Sequence, residues 1–140
     1  MFYKDLYNFL ITDSAIAATV TTYKGVPSIF ANEAPEGADK PYITFSISTT
    51  TLPDSVIVDG TVDIDYWDFG VSRTQADTAA NAIEDRVDMK NLRANSLTDI
   101  RFRMSSSGHV PSTDSRDIHH NTTFDARGAR IRWMKKNFTT

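Results

Sequence analysis

Two stretches of the chain alternate apolar with polar residues, which is the pattern of a β-strand with one face on a core. The inward positions of residues 41–48 are Ile43, Phe45 and Ile47. The second run, over residues 58–66, places Val58, Val62, Ile64 and Tyr66 inward and Asp59, Thr61, Asp63 and Asp65 outward. A loop of about eight residues separates the two runs, so an antiparallel pair is the simplest arrangement.

Helical spacing of apolar residues appears at the start and in the middle of the chain. Residues 2–11 predict an amphipathic helix, and Asp13 with Ser14 offers a cap for a short second helix. A third helix is expected from Ser72, which forms a capping box with Gln75 in which each side chain bonds the other residue's backbone N–H. Its inward stripe consists of Ala76, Ala79, Ala80, Ile83 and Val87.

Three further strands and one long loop complete the expected order. Residues 28–31 predict a short strand, residues 98–104 a longer one, and residues 118–133 the last. In the last strand the apolar parity changes, and Gly128 is the expected position of a bulge that switches faces. Residues 105–117 carry no pattern and predict a loop of the length that is usually functional or disordered.

This order of elements predicts an α+β fold. We expect a largely antiparallel sheet of about four to five strands, with two to three helices packed on one face. The length of 140 residues suits a single domain spanning residues 1–140. The absence of cysteine excludes a disulfide scaffold and thiol catalysis. There is no apolar run of about 18 residues for a membrane span and no signal-peptide pattern at the start, so synthesis in a cytoplasm is expected.

The charges divide unevenly along the chain. Residues 1–85 hold four bases and thirteen acids, whereas residues 86–140 hold eleven bases and five acids. Such a division is typical either of a basic nucleic-acid-binding tail or of oppositely charged surfaces that attract each other between subunits. The second interpretation is favoured because many of the bases alternate with apolar residues, as in residues 100–104, and therefore belong to strands.

The sequence does not indicate a catalytic, cofactor or metal site. The acids Asp59, Asp63, Asp65 and Asp68 lack the turn glycine and later glutamate of a calcium loop. His119 and His120 point to opposite faces of a strand, so they cannot both bind one ion, even with His109 nearby. Nucleotide-binding glycine motifs and a serine nucleophile elbow are also absent. We therefore expect a protein that is not an enzyme.

The C-terminal bases raise the question of nucleic-acid binding. Arg130 and Arg132 project together from the predicted last strand, and aromatic residues such as Phe124 and Trp133 lie nearby. Single-strand binders stack bases on aromatic side chains. Trp133, however, continues an apolar parity, which favours core packing.

The chain resembles the tail completion or tail terminator proteins of long-tailed bacteriophages and prophages. The likeness lies in the opening helix FYKDLYNFL with the following DSAI, in a Pro-Glu-Gly turn leading to PYITF, and in DYWD before the alanine-rich helix. The final strand after His119 and His120 is also similar. The resemblance extends over nearly the whole chain as a pattern of elements and short motifs.

The resemblance implies a ring, usually of six subunits, at the head-proximal end of the tail tube in the virion. The ring stops tube polymerisation and offers a surface for the head connector, so the implied partners are the tail tube protein and a head-completion or connector protein. DNA would pass through the lumen without specific binding. Members of the family carry no cofactor and are not enzymes.

A head-to-tail ring needs two different complementary surfaces on each subunit. The candidate subunit-interface residues are Asp63, Asp65 and Asp68 on one side and Arg127, Arg130 and Arg132 on the other. The candidate partner-binding loops carry Glu33, Glu36 and Asp39 in the first and His109, Asp114 and Arg116 in the second. Two alternatives remain open: another phage neck or connector protein, and a small nucleic-acid-binding module.

Overall fold

The computed structural model describes residues 3–50, 57–70, 72–94, 98–114 and 116–130. The helices are α1 (Tyr3–Ile11), α2 (Ser14–Ala17) and α3 (Thr74–Val87). The strands are β1 (Thr22–Tyr23), β2 (Val26–Pro27), β3 (Ile29–Ala31), β4 (Tyr42–Thr50), β5 (Ile57–Phe69), β6 (Asn91–Ala94), β7 (Thr98–His109) and β8 (Asp117–Arg130). The predicted α+β class is therefore confirmed.

Six strands form one sheet in the order β3-β4-β5-β8-β7-β6, and β1 with β2 forms a separate hairpin. All neighbours in the large sheet are antiparallel except β3 and β4, which are parallel. The prediction of four to five strands was too low. The missed strands β1, β2 and β6 have two to four residues each, too few to show an alternating pattern.

The predicted hairpin is confirmed as β4 and β5. Its register pairs Ile43 with Tyr66 and Phe45 with Ile64, and these four side chains are at most 1% exposed. The side chain of Val58 lies outside the described residues. The polar positions between the apolar ones face the other side of the sheet, so the hairpin has one face on the core and one polar face.

The three helices pack together over the inner face of the sheet. The predicted stripe of α3 is confirmed, since its alanines, Ile83 and Val87 are buried against β5, β7 and β8. Helix α1 contacts both edge strands, β3 and β6, which requires the sheet to curl around the core. No helix within the described ranges is long and apolar enough to cross a membrane.

The beginnings of α2 and α3 differ in how they are capped. Asp13 caps α2 as predicted, because its Oδ1 accepts a hydrogen bond from the Ile16 N–H at 3.0 Å. The prediction of a capping box at α3 was wrong. Arg73 is the N-cap residue and its side chain makes no cap bond, while Gln75 donates instead to the Thr19 carbonyl at 3.0 Å. Gln75 therefore ties α3 to the turn after α2.

Two predictions about the second half of the chain were wrong. Residues 105–109 are not a loop but the end of β7, where Ser107 pairs with Thr122 and His109 with His120. The bulge lies in β7 between Met104 and Ser106, whereas Gly128 pairs regularly with Val58 and Ile100. A Cβ on Gly128 would overlap the Asp99 carbonyl. The absence of a side chain at this position therefore lets β7 and β8 lie close together.

Candidate functional site

A ladder of polar side chains joins β5 to β8 on the outer face of the sheet. Asp65 Oδ1 accepts hydrogen bonds from His119 Nε2 at 2.7 Å and from Asn121 Nδ2 at 3.0 Å. Asp63 Oδ1 accepts from the Thr123 hydroxyl at 2.6 Å. These carboxylates, predicted to face a neighbouring subunit, are thus engaged within their own chain.

Trp67 extends this ladder toward β4. Its ring stacks on the His119 imidazole with centroids 3.7 Å apart and planes at 15°. Its indole N–H donates to Thr44 Oγ1 at 3.0 Å. The outward parity of Trp67 therefore reflects packing within the sheet rather than a free aromatic surface.

The two predicted partner-binding loops meet at one end of the sheet, which we call the loop end: residues 39–40, residues 110–114, Arg116 and Phe69. The first loop begins farther along the sheet, because the Asn32 N–H donates to the Phe45 carbonyl in the middle of β4 and Glu33 lies beside Tyr3 and Phe45. The ammonium of Lys40 in the first loop lies 3.8 Å from a carboxylate oxygen of Asp117, just after the second. Phe69 is 48% exposed there, with the Arg116 guanidinium 4.8 Å from its ring centroid.

The predicted partner-binding residues of the two loops differ in their exposure and in their hydrogen bonds. Glu33, Glu36 and Asp39 are all exposed in the first loop. In the second, the Asp114 carboxylate accepts from the Arg116 N–H at 2.9 Å, which shapes the turn. His109 is not a loop residue, because it is the last residue of β7.

The opposite end of the long strands carries a basic recess, defined by Asp59, Met89, Arg101, Arg103, Asp125 and Arg127. Its volume is ≈ 610 Å³. In the register Arg127 lies between Arg101 and Asp59, and Arg103 lies beside Asp125. Among the described residues the structure records no ion pair within 4 Å for the three arginines. Their guanidinium groups are available to a partner.

The sequence-predicted interface residues are only partly brought together. Asp63 and Asp65 lie in the middle of the polar ladder, whereas Asp68 lies at the loop end, where its Oδ1 accepts from the Phe69 N–H at 2.7 Å. Arg127 belongs to the basic recess. The side chain of Arg130 and all of Arg132 lie outside the described residues.

Sequence reasoning did not select Arg101 and Arg103 as interface residues. The signal was nevertheless present, because both alternate with the buried residues Ile100 and Phe102 and must therefore project outward. What could not be read from the sequence is that β7 lies next to β8, which places these two arginines beside Arg127.

Comparison with known proteins agrees with this architecture. Residues 4–128 match the model of a family described as tail completion protein gp17. No curated protein matches the chain by sequence.

Two solved structures share the fold. A chain from a structure titled "Virion of native gene transfer agent (GTA) particle" aligns with a TM-score of 0.73 and 15% identity, covering 90% of this chain and 92% of that one. A second structure aligns with a TM-score of 0.61 and 11% identity, covering 91% and 96%. At these identities the likeness shows the fold alone. Because the family model covers most of the chain, the protein belongs to the tail completion protein gp17 family of phage tail structural proteins.

Proposed function

We propose that the protein is a tail terminator: a structural, non-catalytic virion protein that forms a ring, usually of six copies, at the head-proximal end of the tail tube. In this position the ring stops tube polymerisation and presents a surface to the head-completion or connector protein. DNA passes through the lumen without specific binding. The family membership supports the tail assignment, and the distribution of charge supports assembly.

The observation that carries the proposal is the separation of charge along the sheet. The loop end carries acidic residues on both loops and at their borders, with Lys40 and Arg116 as its bases. The acids are Asp39, Asp68, Asp114 and Asp117. The other end of β5 and β8 carries Arg101, Arg103 and Arg127, which outnumber the acids Asp59 and Asp125 of the same recess. About ten residues of β5 separate the two ends, or about 30 Å of extended chain.

This arrangement meets the requirement of a head-to-tail contact. A heterologous interface joins two different patches and closes into a ring when the rotation between subunits allows it. An acidic patch and a basic patch at a distance from each other supply such a pair, and complementary charge guides their encounter. The basic recess is therefore the proposed contact for an acidic surface of the neighbouring subunit, or of a stacked tail protein.

The test is light scattering on a sizing column, with negative-stain imaging of any large species, at low and at moderate salt. We expect an open-centred ring of about six copies, and Arg127→Glu should shift the equilibrium toward monomer. Lys24→Glu is the matched control, since it makes the same charge change in the exposed turn between β1 and β2.

Two outcomes would overturn the proposal. The first is a monomer at every concentration that forms no ring on added tail tubes. The second is a monomer or dimer that binds DNA with an affinity falling steeply as salt rises, which is the behaviour of a nucleic-acid-binding module. A ring that binds a neck protein but not tail tubes would favour the alternative of another connector protein.

A further inference from the structure

Three potential metal ligands meet on the inner side of the sheet, where α3 begins. They are Asp77 in the first turn of α3, His109 at the end of β7 and His120 near the start of β8. One ligand atom from each lies within 4.8 Å of the others. His109 Nε2 is 3.3 Å from Asp77 Oδ1, and the two imidazole centroids are 4.9 Å apart.

His120 offers a buried ring nitrogen to a metal. Its side chain is buried, at 7% exposure, and Nε2 lies 2.8 Å from Ser107 Oγ. Nδ1 is fully buried and has no hydrogen-bond partner among the described residues. A metal-binding histidine characteristically donates its second ring N–H to a nearby acceptor, which fixes the ring and its tautomer. With Ser107 accepting from Nε2–H, the unpartnered Nδ1 carries the free lone pair.

The unpartnered nitrogen of His120 is a second observation that points to a ligand. A buried nitrogen without a hydrogen-bond partner is costly, and a cation would supply the missing partner.

We propose that Asp77, His109 and His120 bind a divalent transition-metal ion, with zinc as the best match. Two imidazoles and one carboxylate are a ligand set that Zn²⁺ takes, with a fourth position left for water. Tetrahedral zinc with bonds of about 2.1 Å spaces its ligands about 3.4 Å apart, a separation that His109 and Asp77 already show. Both of these residues are exposed, so they can close on the buried imidazole.

Zinc at this position would join α3 to the β7–β8 turn. Val110 directly follows His109, and its N–H donates to the His119 carbonyl at 2.8 Å. Fixing His109 therefore fixes the start of the 110–116 segment at the loop end. The sequence alone does not suggest this group, because Asp77 lies on a helix far from the histidines along the chain.

The test uses tag-free full-length protein, stripped of metal with EDTA and titrated with ZnCl₂ in a calorimeter at about pH 7.5, where free imidazoles are neutral. We expect one ion per chain. Asp77→Asn and His109→Gln change exposed residues and should each weaken binding at least about tenfold. His119→Gln is the control, because it removes the neighbouring histidine on the other face and should leave the affinity unchanged.

Thermal unfolding with EDTA present checks that the two ligand variants remain folded without metal. With zinc, the wild type should unfold at a higher temperature than without it, and the variants should lose most of that increase. Hydrogen exchange of residues 110–116 should slow on zinc addition in the wild type alone. The proposal fails if the wild type takes up no zinc, if both ligand variants bind as tightly as the wild type, or if His119→Gln weakens binding equally.

Discussion

Replacing Asp65 with alanine separates two roles that its carboxylate can have. As an interface residue it would meet an arginine of a neighbouring subunit, whereas in the structure it accepts hydrogen bonds from His119 and Asn121 of its own chain. The intrachain role predicts that Asp65→Ala destabilises the isolated subunit. The interface role predicts that it disturbs assembly alone.

The magnitude follows from the two hydrogen bonds. A bond to a charged group contributes about 1.5–3 kcal/mol when both partners are buried. The His119 and Asp65 side chains are 18% and 20% exposed, so water replaces part of what is lost. We expect the free energy of unfolding to fall by about 2 kcal/mol. The stacking of Trp67 on His119 should loosen as well, because the carboxylate no longer orients the imidazole.

Urea unfolding at low protein concentration and high salt measures this loss with assembly suppressed. The midpoint should fall by about 1 M with the slope unchanged. Asp59→Ala is the control, since Asp59 is an exposed acid of the same strand. A double-mutant cycle with His119→Ala should give a coupling energy of about 1 kcal/mol or more. An unchanged midpoint combined with lost assembly, recovered by pairing Asp65→Arg with Arg130→Asp, would refute the reasoning.

Two further predictions concern the core of the sheet. Gly128→Ala should destabilise the protein by about 3 kcal/mol or more, because the added methyl group overlaps the Asp99 carbonyl. Gly108→Ala is the control: its new Cβ has no atom within 4 Å, so the same urea titration should show no change in stability. Burial, with Asp68 nearby, raises the pKa of the Tyr66 hydroxyl. The Tyr66 hydroxyl ionises near pH 10 in the unfolded chain but stays neutral at that pH in the folded chain. Its contribution to the free energy of unfolding is therefore complete below about pH 10 and is lost as the pH rises further. Tyr66→Phe should flatten this alkaline decline in the urea midpoint, and an equally steep decline would contradict the assignment.

Much of the fold could be predicted from local patterns. Period-two alternation identified β4 and β5 and their inward faces, and a stripe at spacings of three and four identified α3. These patterns are reliable because one face of each element must be buried, so burial dictates the residue types at a fixed period. The class of fold follows from the order of such elements.

The parts that could not be predicted depend on partners distant in sequence. Residues 105–109 carry serines and a glycine rather than alternating apolar side chains, yet they form a strand because β8 satisfies their backbone groups. The Ser107 hydroxyl, 2.8 Å from His120 Nε2, shows a polar contact taking the place of apolar packing. The candidate sites were missed for the same reason, since register decides which side chains become neighbours.

The charge asymmetry of the sequence acquires a different meaning once β5 and β8 are known to be neighbours. Had the two halves of the chain formed separate faces, Asp63 and Asp65 would remain free to attract the basic half of another subunit. Instead the middle of β8 supplies His119, Asn121 and Thr123 as uncharged or titratable donors, and the acids are satisfied locally. Among the described residues, Arg101, Arg103 and Arg127 are left without an ion pair at the recess, while the loop end holds more acids than bases. Assembly should therefore respond more strongly to charge reversal at Arg127 than at Asp65, and more strongly at low salt, where exposed charges are least screened.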